Sequence, residues 1–339
     1  MSRPIVLLLG EPPIYQTELW KAFEANFRVV RDTSSSRDAF IAALKENKFG
    51  AVSAILKPSV EAGNIPSPWN KDLISLLPPS VRLFSAAGAG FDYLDLPSLN
   101  ARDITFTNGR GAGDTATSDL ALYLILSVFR LTSYAEFGAR SGDPKVFDEV
   151  HNEIAKKAVN PKGRVLGAVG LGAIQKEIVR KVGYTGLGMK VLYYDVVRAS
   201  PEVEEKLQAE YVADLLELAR RSDCISVSVP YLDSTHHLIN KEFLDAMKPG
   251  SRIVNTSRGK VIHEAELVSA LESGHLLSAG LDVHYDEPKV LPKLIAMRNV
   301  TLTAHIGGVA QDTHSEFERL CLTNVDNFLR TNEPLLTEV

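Results

Sequence analysis

The chain has 339 residues, 45% hydrophobic and 23% charged, which is the composition of a globular protein of about two domains. Its net charge of −5 gives no electrostatic reason to expect a nucleic-acid partner. Two cysteines, Cys224 and Cys321, cannot form a disulfide framework and favour a reducing, cytoplasmic compartment. No apolar run reaches the ~20 residues of a membrane span, and the one near the N-terminus is too short for a secretory signal.

Short apolar runs alternate with amphipathic stretches at the start of the chain. Strands are predicted at 5–10, 51–56 and 81–88, and an amphipathic stretch follows the first of them. This alternation predicts parallel sheets covered by helices, the α/β class.

The pattern changes after Gly113. Residues 114–140 have a polar start and a long apolar centre, which predicts one extended helix. Residues 141–162 are polar and contain Pro144 and Pro161, which predicts a connector or an arm that faces a partner.

Strands then return. RVLGAVG at 164–170 is predicted to be a strand, and the helical spacing of AIQKEIVRKV follows it. Further strands are predicted at 190–195, 224–230, 252–257, 277–283 and 300–305.

The turn after the strand at 164–170 is similar to a dinucleotide-binding fingerprint. The G-x-G-x-x-G pattern is filled by Gly170, Gly172 and then Gln175. The first two glycines approach the ligand and the third allows helix packing, so Gln175 weakens the motif where it faces the ligand least. Asp195 ends the next strand about 20 residues on, where a carboxylate accepts ribose hydroxyls. An ordinary glycine-rich turn is the alternative, but the strand, the helix and Asp195 together favour a cofactor site.

Asp195 would repel a 2′-phosphate, so the sequence favours NAD over NADP as the cofactor. Arg198 lies close by in the sequence and keeps NADP as the less favoured alternative.

Three later strand ends carry side chains suited to one reaction. Arg258 and Glu287 follow predicted strands and His305 ends one, and ligands of open α/β sheets bind at the carboxyl ends of strands. His305 can give a proton to a developing alkoxide, and Glu287 would favour the imidazolium. Arg258 can bind a substrate carboxylate with its planar fork. Taken singly, these residues also fit a surface ion pair, a turn carboxylate and a strand-end histidine.

The ordered motifs NTSRG (255–259), DVHYDEP (282–288) and AHIGG (304–308) resemble those of the D-isomer-specific 2-hydroxyacid dehydrogenases. The resemblance covers nearly the whole chain. GAGFDYLDL (88–96) is similar to the substrate loop of that family, and DTATSDLAL (114–122) to its cofactor-flanking helix start. Several stretches, including the glutamine in the fingerprint, are especially similar to a subgroup, the fungal D-mandelate dehydrogenases.

The resemblance implies a Rossmann-like and flavodoxin-like fold of two parallel-sheet domains separated by an active-site cleft. It places a substrate-binding domain at 1–112 plus 309–339 and an NAD-binding domain at 113–308. It implies a homodimer joined through the NAD-binding domain by the helix at 115–135. Ser257 and Ala304 depart from the usual alanine and proline of the family, and 141–162 is longer than the family's connector.

The family pattern also implies site residues. Arg258, Glu287 and His305 are the implied catalytic residues, and Ala89 and Gly90 join Arg258 and His305 at the substrate. The implied cofactor-binding residues are Gly170, Leu171, Gly172, Ala173, Ile174, Asp195, Val229, Pro230, Thr235, Thr256, Ser257, Asp282 and Gly307.

The remaining candidates have structural interpretations. His236 and His237 are interpreted as a helix-start pair rather than metal ligands, because no third ligand is evident, so no metal is expected. His263, His275 and His284 are isolated in the sequence and are interpreted as surface or packing residues. Lys57 follows a strand and is either a cleft residue or a plain loop lysine, and Cys224 is interpreted as core packing.

The leading hypothesis is an NAD-dependent enzyme that reversibly reduces 2-oxo acids to D-2-hydroxy acids. Aromatic substrates, such as the pair benzoylformate and D-mandelate, are the candidates for this reaction. The alternative is an NAD-sensing protein like the corepressor of the same family. A formate-type dehydrogenase pairs its histidine with glutamine, so Glu287 argues against that class.

Overall fold

The computed structural model describes residues 3–59 and 67–339. The chain divides into two units, Met1–Gly113 with Val309–Val339, and Asp114–Gly308. Each unit contains a parallel sheet covered by helices, so the predicted α/β class with two parallel-sheet domains is confirmed.

Within the described residues, the first unit has a five-stranded parallel sheet in the order β2-β1-β3-β4-β5. The middle strands are almost fully buried, because a parallel sheet with helices on both faces shields its central strands from water. The elements are β1 (Ile5–Leu8), α1 (Thr17–Asn26), β2 (Arg28–Arg31), α2 (Arg37–Lys45), β3 (Val52–Lys57), α3 (Lys71–Ser75), β4 (Leu83–Ala86), α4 (Leu96–Asn100) and β5 (Thr105–Thr107).

Over residues 114–308, all of which are described, the second unit forms a seven-stranded parallel sheet in the order β12-β11-β10-β9-β6-β7-β8. The elements up to β8 are α5 (Asp114–Arg130), α6 (Thr132–Arg140), α7 (Pro144–Lys157), β6 (Val165–Val169), α8 (Ala173–Val182), β7 (Lys190–Tyr194), α9 (Pro201–Leu207) and β8 (Ala209–Tyr211). The remaining elements are α10 (Leu215–Arg221), β9 (Cys224–Val227), α11 (Lys241–Ala246), β10 (Ser251–Asn255), α12 (Glu264–Glu272), β11 (Leu276–Leu281), α13 (Pro292–Ala296) and β12 (Val300–Leu302). Short 3₁₀ turns lie at Asp233–Thr235 and Gly259–Val261.

The C-terminal segment completes the first unit. Helix α14 (Gln311–Asp326) continues into a π-helical turn at Asn327–Thr331, and its Phe317 and Cys321 are buried in the core of this unit. Its buried Glu318 accepts hydrogen bonds from the backbone N–H groups of Ile14, Tyr15 and Gln16 at 2.7–2.9 Å. The loop after β1 is therefore fixed by a residue about 300 positions away in the sequence.

The extended helix predicted over 114–140 is wrong. The helix ends at Arg130, because Leu131 adopts a left-handed conformation with φ of +53°, and α6 begins one residue later at an angle of 75°. Leu131 is itself 5% exposed and packs with Tyr134 and Val150. Residues other than glycine rarely adopt this left-handed conformation, and here it occurs together with burial of the apolar leucine side chain.

The segment 141–162 contains the helix α7. Pro144 occupies its first turn, where a missing N–H is tolerated, and the Asp143 carboxylate accepts from the Lys145 N–H at 2.9 Å. Helix α7 packs on α6 through Val150, which the missing side chain of Gly138 allows to approach closely. The predicted connector is thus a helical hairpin with α6.

Among the described residues, no single helix has the length and apolar character to cross a membrane. The bent pair of α5 and α6 meets those criteria jointly, by length and composition.

Candidate active site

Three neighbouring strands, β12, β11 and β10, end at the same edge of the second sheet, because all pairings between them are parallel. Arg258, Glu287 and His305 lie in the loops that follow these strands. The structure brings two of these side chains into direct contact, since His305 Nδ1 lies 2.7 Å from Glu287 Oε2. The pair sits at the sheet edge where α/β proteins bind their ligands.

The His305 loop is held by Asp282, which is 1% exposed and follows β11. Its Oδ1 accepts from Thr303 Oγ1 at 2.7 Å and from the Ile306 N–H at 2.8 Å, and its Oδ2 accepts from the Gly307 N–H at 2.9 Å. The Asp282 carbonyl also accepts from the His305 N–H at 2.8 Å. His305 has a φ of +53°, an uncommon conformation that this network fixes.

Hydrogen bonds to both carboxylate oxygens position Glu287. Oε1 accepts from the His284 N–H at 2.8 Å and Oε2 faces His305. Partial burial would raise the pKa of Glu287, but the hydrogen bonds from His305 and from the His284 backbone outweigh it and lower that pKa. Glu287 is therefore an anion at neutral pH and accepts the proton on Nδ1 of His305.

The loop carrying Arg258 touches the loop carrying Glu287. A Cβ on Gly259 would lie 2.1 Å from the backbone C and O atoms of His284, so glycine is required for this approach. Asn255 Nδ2 donates to the Arg258 carbonyl at 2.9 Å, and Arg258 Nη1 donates to the Ser257 carbonyl at 2.7 Å. The backbone around Arg258 is thus fixed beside the loop that holds Glu287.

The turn between β6 and α8 fits a pyrophosphate. Gly170 has a φ of +87°, and a Cβ there would lie 2.5 Å from the Ser228 carbonyl oxygen. Gly172 precedes α8, and a Cβ on it would meet no atom within 4 Å. The backbone is therefore open to a ligand at Gly172, and the first N–H groups of α8, from Ala173 and Ile174 onward, favour an anion.

Gln175 replaces the third glycine of the fingerprint without blocking the turn. Its side chain is fully buried and Oε1 accepts from Ser226 Oγ of β9 at 3.2 Å. Nε2 of Gln175 has no hydrogen-bond partner among the described residues. The Gln175 side chain thus links the first turn of α8 to β9. In the usual motif, a glycine at this position lets the helix and the strand pack closely.

Asp195 lies directly after β7, as the sequence indicates. Its Oδ2 accepts from the Leu171 N–H at 2.7 Å, so the half-buried carboxylate joins the end of β7 to the glycine turn. On the other side of the turn, Val229 contacts Gly170, and Thr235 Oγ1 donates to the Pro230 carbonyl at 2.7 Å.

Two more predicted cofactor residues follow β10. Ser257 donates to Asn255 Oδ1 through both N–H and Oγ, at 2.9 and 2.8 Å. Thr256 Oγ1 is buried and has no hydrogen-bond partner in the described part of the chain. An unpartnered buried hydroxyl beside Arg258 fits a polar group of a ligand.

The predicted substrate loop belongs to the first unit and follows β4. Asn108 Nδ2 donates to the Ala89 carbonyl at 2.9 Å, and the Gly109 N–H donates to the Gly88 carbonyl at 2.8 Å. These bonds fix the loop on which Ala89 and Gly90 lie.

His263 packs against the pair formed by His236 and His237, which is one of the two roles expected for it. The rings of His236 and His237 stack with centroids 3.8 Å apart, and those of His237 and His263 are 4.5 Å apart. Burial and the two neighbouring imidazoles lower the pKa of His237. In residues 3–59 and 67–339, no group of three or more His, Cys, Asp or Glu side chains is placed to hold a metal ion.

Other single residues have structural partners. His284 Nε2 lies 2.8 Å from the Thr303 carbonyl, and His275 Nε2 lies 2.9 Å from the Leu244 carbonyl. Lys57 ends β3 and is 7% exposed, with Nζ donating to the Ser59 carbonyl at 2.9 Å. Cys224 is fully buried, as expected of core packing.

Sequence reasoning missed the supports of the site, namely Asn255, Gly259 and Thr303. Asn255 and Gly259 lie inside the NTSRG motif, so the motif itself contained the signal. Thr303 carries no signal in the sequence, because its bond to Asp282 joins loops 21 residues apart.

Residues 122–307 match the family model of the D-isomer-specific 2-hydroxyacid dehydrogenase, NAD-binding domain. This range contains the glycine turn, Asp195 and the His305–Glu287 pair. The matched domain binds NAD, and the open turn at Gly172 and the carboxylate of Asp195 are compatible with that cofactor.

Similar proteins cover the whole chain. D-mandelate dehydrogenase from Rhodotorula graminis in its holo form is 60% identical, with a TM-score of 0.98 over 100% of this chain and 98% of that one. A glyoxylate reductase from Paecilomyes thermophila is 32% identical, with a TM-score of 0.89 over 100% and 99% of the two chains. The 4-methyl-2-oxopentanoate reductase A of Aspergillus oryzae is 32% identical over 95% of this chain and 94% of its own. The fold, the matched NAD-binding domain and these relatives together show that the chain belongs to the D-isomer-specific 2-hydroxyacid dehydrogenases, which are NAD-dependent oxidoreductases.

Proposed function

We propose that the chain reversibly reduces a 2-oxo acid to a D-2-hydroxy acid, with His305 as acid/base, Glu287 as its partner and Arg258 as the substrate-orienting residue. The observation that carries these roles is the 2.7 Å contact between His305 Nδ1 and Glu287 Oε2 at the sheet edge. When bound, NAD(H) supplies or accepts the hydride.

His305 is the residue that exchanges a proton with the substrate. Because anionic Glu287 accepts the Nδ1 proton, Nε2 is the atom left to exchange a proton with the substrate oxygen. In reduction Nε2–H gives its proton to the developing alkoxide, and in oxidation Nε2 takes the hydroxyl proton. The anion of Glu287 stabilises the imidazolium in either direction.

Arg258 orients the substrate through its guanidinium, whose planar fork matches a carboxylate. The close approach at Gly259 fixes the Arg258 loop beside the loop of Glu287, which supports a shared site. We assign the carboxylate, in addition, to the backbone N–H groups of Ala89 and Gly90 on their hydrogen-bonded loop.

The proposed cofactor-binding residues begin in the turn between β6 and α8. Gly170, Leu171, Gly172, Ala173 and Ile174 would hold the pyrophosphate, and Asp195 the adenosine ribose. The adenosine side would be lined by Val229, Pro230 and Thr235, and the nicotinamide end by Thr256, Ser257, Asp282 and Gly307.

The substrate proposed is aromatic, namely D-mandelate with benzoylformate as its 2-oxo acid. The similarity over the whole chain to the Rhodotorula graminis enzyme supports it. The test is the loss of NADH absorbance with benzoylformate, 4-methyl-2-oxopentanoate and glyoxylate. We expect kcat/KM for benzoylformate to exceed the others by about tenfold or more, a ratio that a shaped apolar pocket can supply.

The acid/base role is tested with His305→Asn. We expect turnover to fall by about 100- to 10,000-fold, the range of general acid catalysis, while NADH binding measured by fluorescence is retained. Near-normal turnover would remove His305 from that role. No turnover of any 2-oxo acid by the wild-type chain, with NADH bound, would favour an NAD-sensing protein instead.

A homodimer joined through the NAD-binding domain is the proposed assembly. Helices α6 and α7 line a groove of about 420 Å³ that includes Phe147, which is 53% exposed. Phe137, elsewhere on α6, is 46% exposed. Exposed aromatic side chains grouped on one hairpin are typical of interfaces. We also propose a reducing, cytoplasmic setting, supported by the two buried and unpaired thiols of Cys224 and Cys321.

A further inference from the structure

The loop after β7 carries a cation that is already engaged. Arg198 lies three residues beyond Asp195, and its Nε and Nη2 each donate to one oxygen of Glu204 at 2.9 Å. Arg198 also lies over the Tyr211 ring, with 5.3 Å between its guanidinium carbon and the ring centroid. These two parallel hydrogen bonds fix the orientation of the guanidinium group.

Glu204 is more firmly held than the carboxylate of an ordinary surface pair. Its side chain is 15% exposed, and Tyr193 Oη donates to its Oε1 at 2.6 Å. The Tyr193 oxygen in turn accepts from the Ala199 N–H at 3.0 Å, so the helix α9, the strand β7 and the loop share one network. The hydrogen bonds from Arg198 and Tyr193 lower the pKa of Glu204 to about 2, which keeps it anionic at neutral pH.

Cofactor choice depends on the charge beside the adenosine ribose. An acidic residue there suits the 2′-hydroxyl of NAD, whereas an arginine nearby accommodates the 2′-phosphate of NADP. This chain has both residue types within four positions of each other, Asp195 and Arg198. An unpaired Arg198 would partly offset the repulsion from Asp195, so the state of Arg198 decides how strict the selection is.

We propose that Glu204 is a second determinant of cofactor selectivity, because it holds Arg198 in a neutral pair and withholds that cation from the 2′-phosphate of NADP. This inference rests on the proposed function, which places the adenosine ribose beside Asp195. Glu204 acts through Arg198 and is a positioning residue.

The test measures dissociation constants for NADPH and NADH by fluorescence titration of Glu204→Gln. Glutamine keeps an oxygen for Tyr193 but leaves the charge of Arg198 uncompensated. We expect the NADPH dissociation constant to fall by about tenfold, as for one added charge-assisted contact, and the NADH constant to stay within about twofold. An unchanged NADPH constant would overturn the proposal.

Arg198→Met separates this mechanism from a general change in charge. In the Glu204→Gln background it should remove the gain in NADPH affinity. A gain that persists in the double variant would show that Arg198 is not the cation involved, contrary to the proposal. Glu205→Gln, an exposed neighbour on α9, removes the same charge, and an equal gain there would also overturn it.

Asp195→Asn distinguishes failure of the inference from failure of the proposed function. We expect it to weaken NADH binding and strengthen NADPH binding. If Asp195→Asn shifts selectivity and Glu204→Gln does not, the inference alone fails. If Asp195→Asn changes neither constant, the ribose placement fails and the inference fails with it.

Discussion

At the scale of single residues, the Glu287 carboxylate determines the protonation of the neighbouring imidazole. Its pKa is lowered by the hydrogen bonds from His305 and from the His284 backbone, so Glu287 is anionic at neutral pH. An adjacent anion favours the imidazolium, which is the form that reduction requires.

Glu287→Gln should therefore shift the pH dependence of reduction. In reduction, kcat/KM falls as pH rises and the imidazolium deprotonates, and loss of the anion moves that limb to lower pH. We expect this limb to lie at lower pH than in the wild type, together with slower turnover. The measurement is kcat/KM against pH with NADH saturating.

Asp286→Gln provides the matched comparison, because it removes an adjacent exposed carboxylate and leaves the His305 contact in place. A limb that stays in position in Glu287→Gln, or moves equally in Asp286→Gln, would show that the pair is not coupled.

The three residues proposed to be catalytic can be picked out in the sequence because polar residues of three types come at the ends of successive apolar strands. The network around them cannot. Asp282 was expected near the nicotinamide, yet its carboxylate is occupied by the Thr303, Ile306 and Gly307 donors. Contacts between loops of neighbouring strands depend on tertiary packing, so the local sequence pattern does not predict them.

At the scale of elements, the approach of the β10 and β11 loops depends on Gly259. Alanine there would place Cβ 2.1 Å from the His284 backbone, which cannot move aside as a flexible side chain can. In Gly259→Ala the two loops must separate. We expect a loss of about 2–3 kcal/mol in the free energy of unfolding from overpacking and a fall in turnover of about 100-fold from misplaced groups.

Urea unfolding and steady-state kinetics check both parts of this prediction. Gly308→Ala is the control, since its Cβ would meet no atom within 4 Å, and it should stay within about 0.5 kcal/mol of the wild type. Equal stability of the two variants would refute the close-approach argument.

Strands with a strong apolar pattern were predicted, whereas three of the four edge strands in the described residues were not. The predicted strands correspond to β1, β3, β4 and to the buried strands of the second sheet, where apolar runs are continuous. Strands β2, β5 and β8 have three or four residues and lie at or beside sheet edges, so their periodic signal is too short to read. The break at Leu131 was missed for another reason, because no glycine or proline marks it in the local sequence.

At the scale of the whole molecule, the unit at the N-terminus is completed by the C-terminus. The Val339 N–H donates to the Phe106 carbonyl at 3.1 Å, and Thr337 Oγ1 donates to the Asn108 carbonyl at 2.5 Å. A local sequence pattern cannot reveal such a return, because the paired segments lie more than 200 residues apart.

The assembly proposed for the whole molecule depends on the α6–α7 hairpin. Phe147 is 53% exposed on α7, and burying one phenylalanine contributes about 1.5–3 kcal/mol. A two-fold axis places each such residue at the interface twice, so a charge at this position acts twice. Phe147→Lys should therefore raise the dimer dissociation constant by at least about 100-fold.

Analytical ultracentrifugation over a concentration series provides the measurement. The wild-type chain should sediment with about twice the 37.1 kDa of one chain, and Phe147→Lys should approach the mass of a single chain at the same concentrations. Tyr184→Lys is the control, since Tyr184 is 76% exposed and lies after α8, outside the hairpin. A wild-type chain that is monomeric at micromolar concentration would contradict the proposed dimer. Dissociation caused by Tyr184→Lys but not by Phe147→Lys would place the interface elsewhere, because only a surface buried by the partner penalises an added charge.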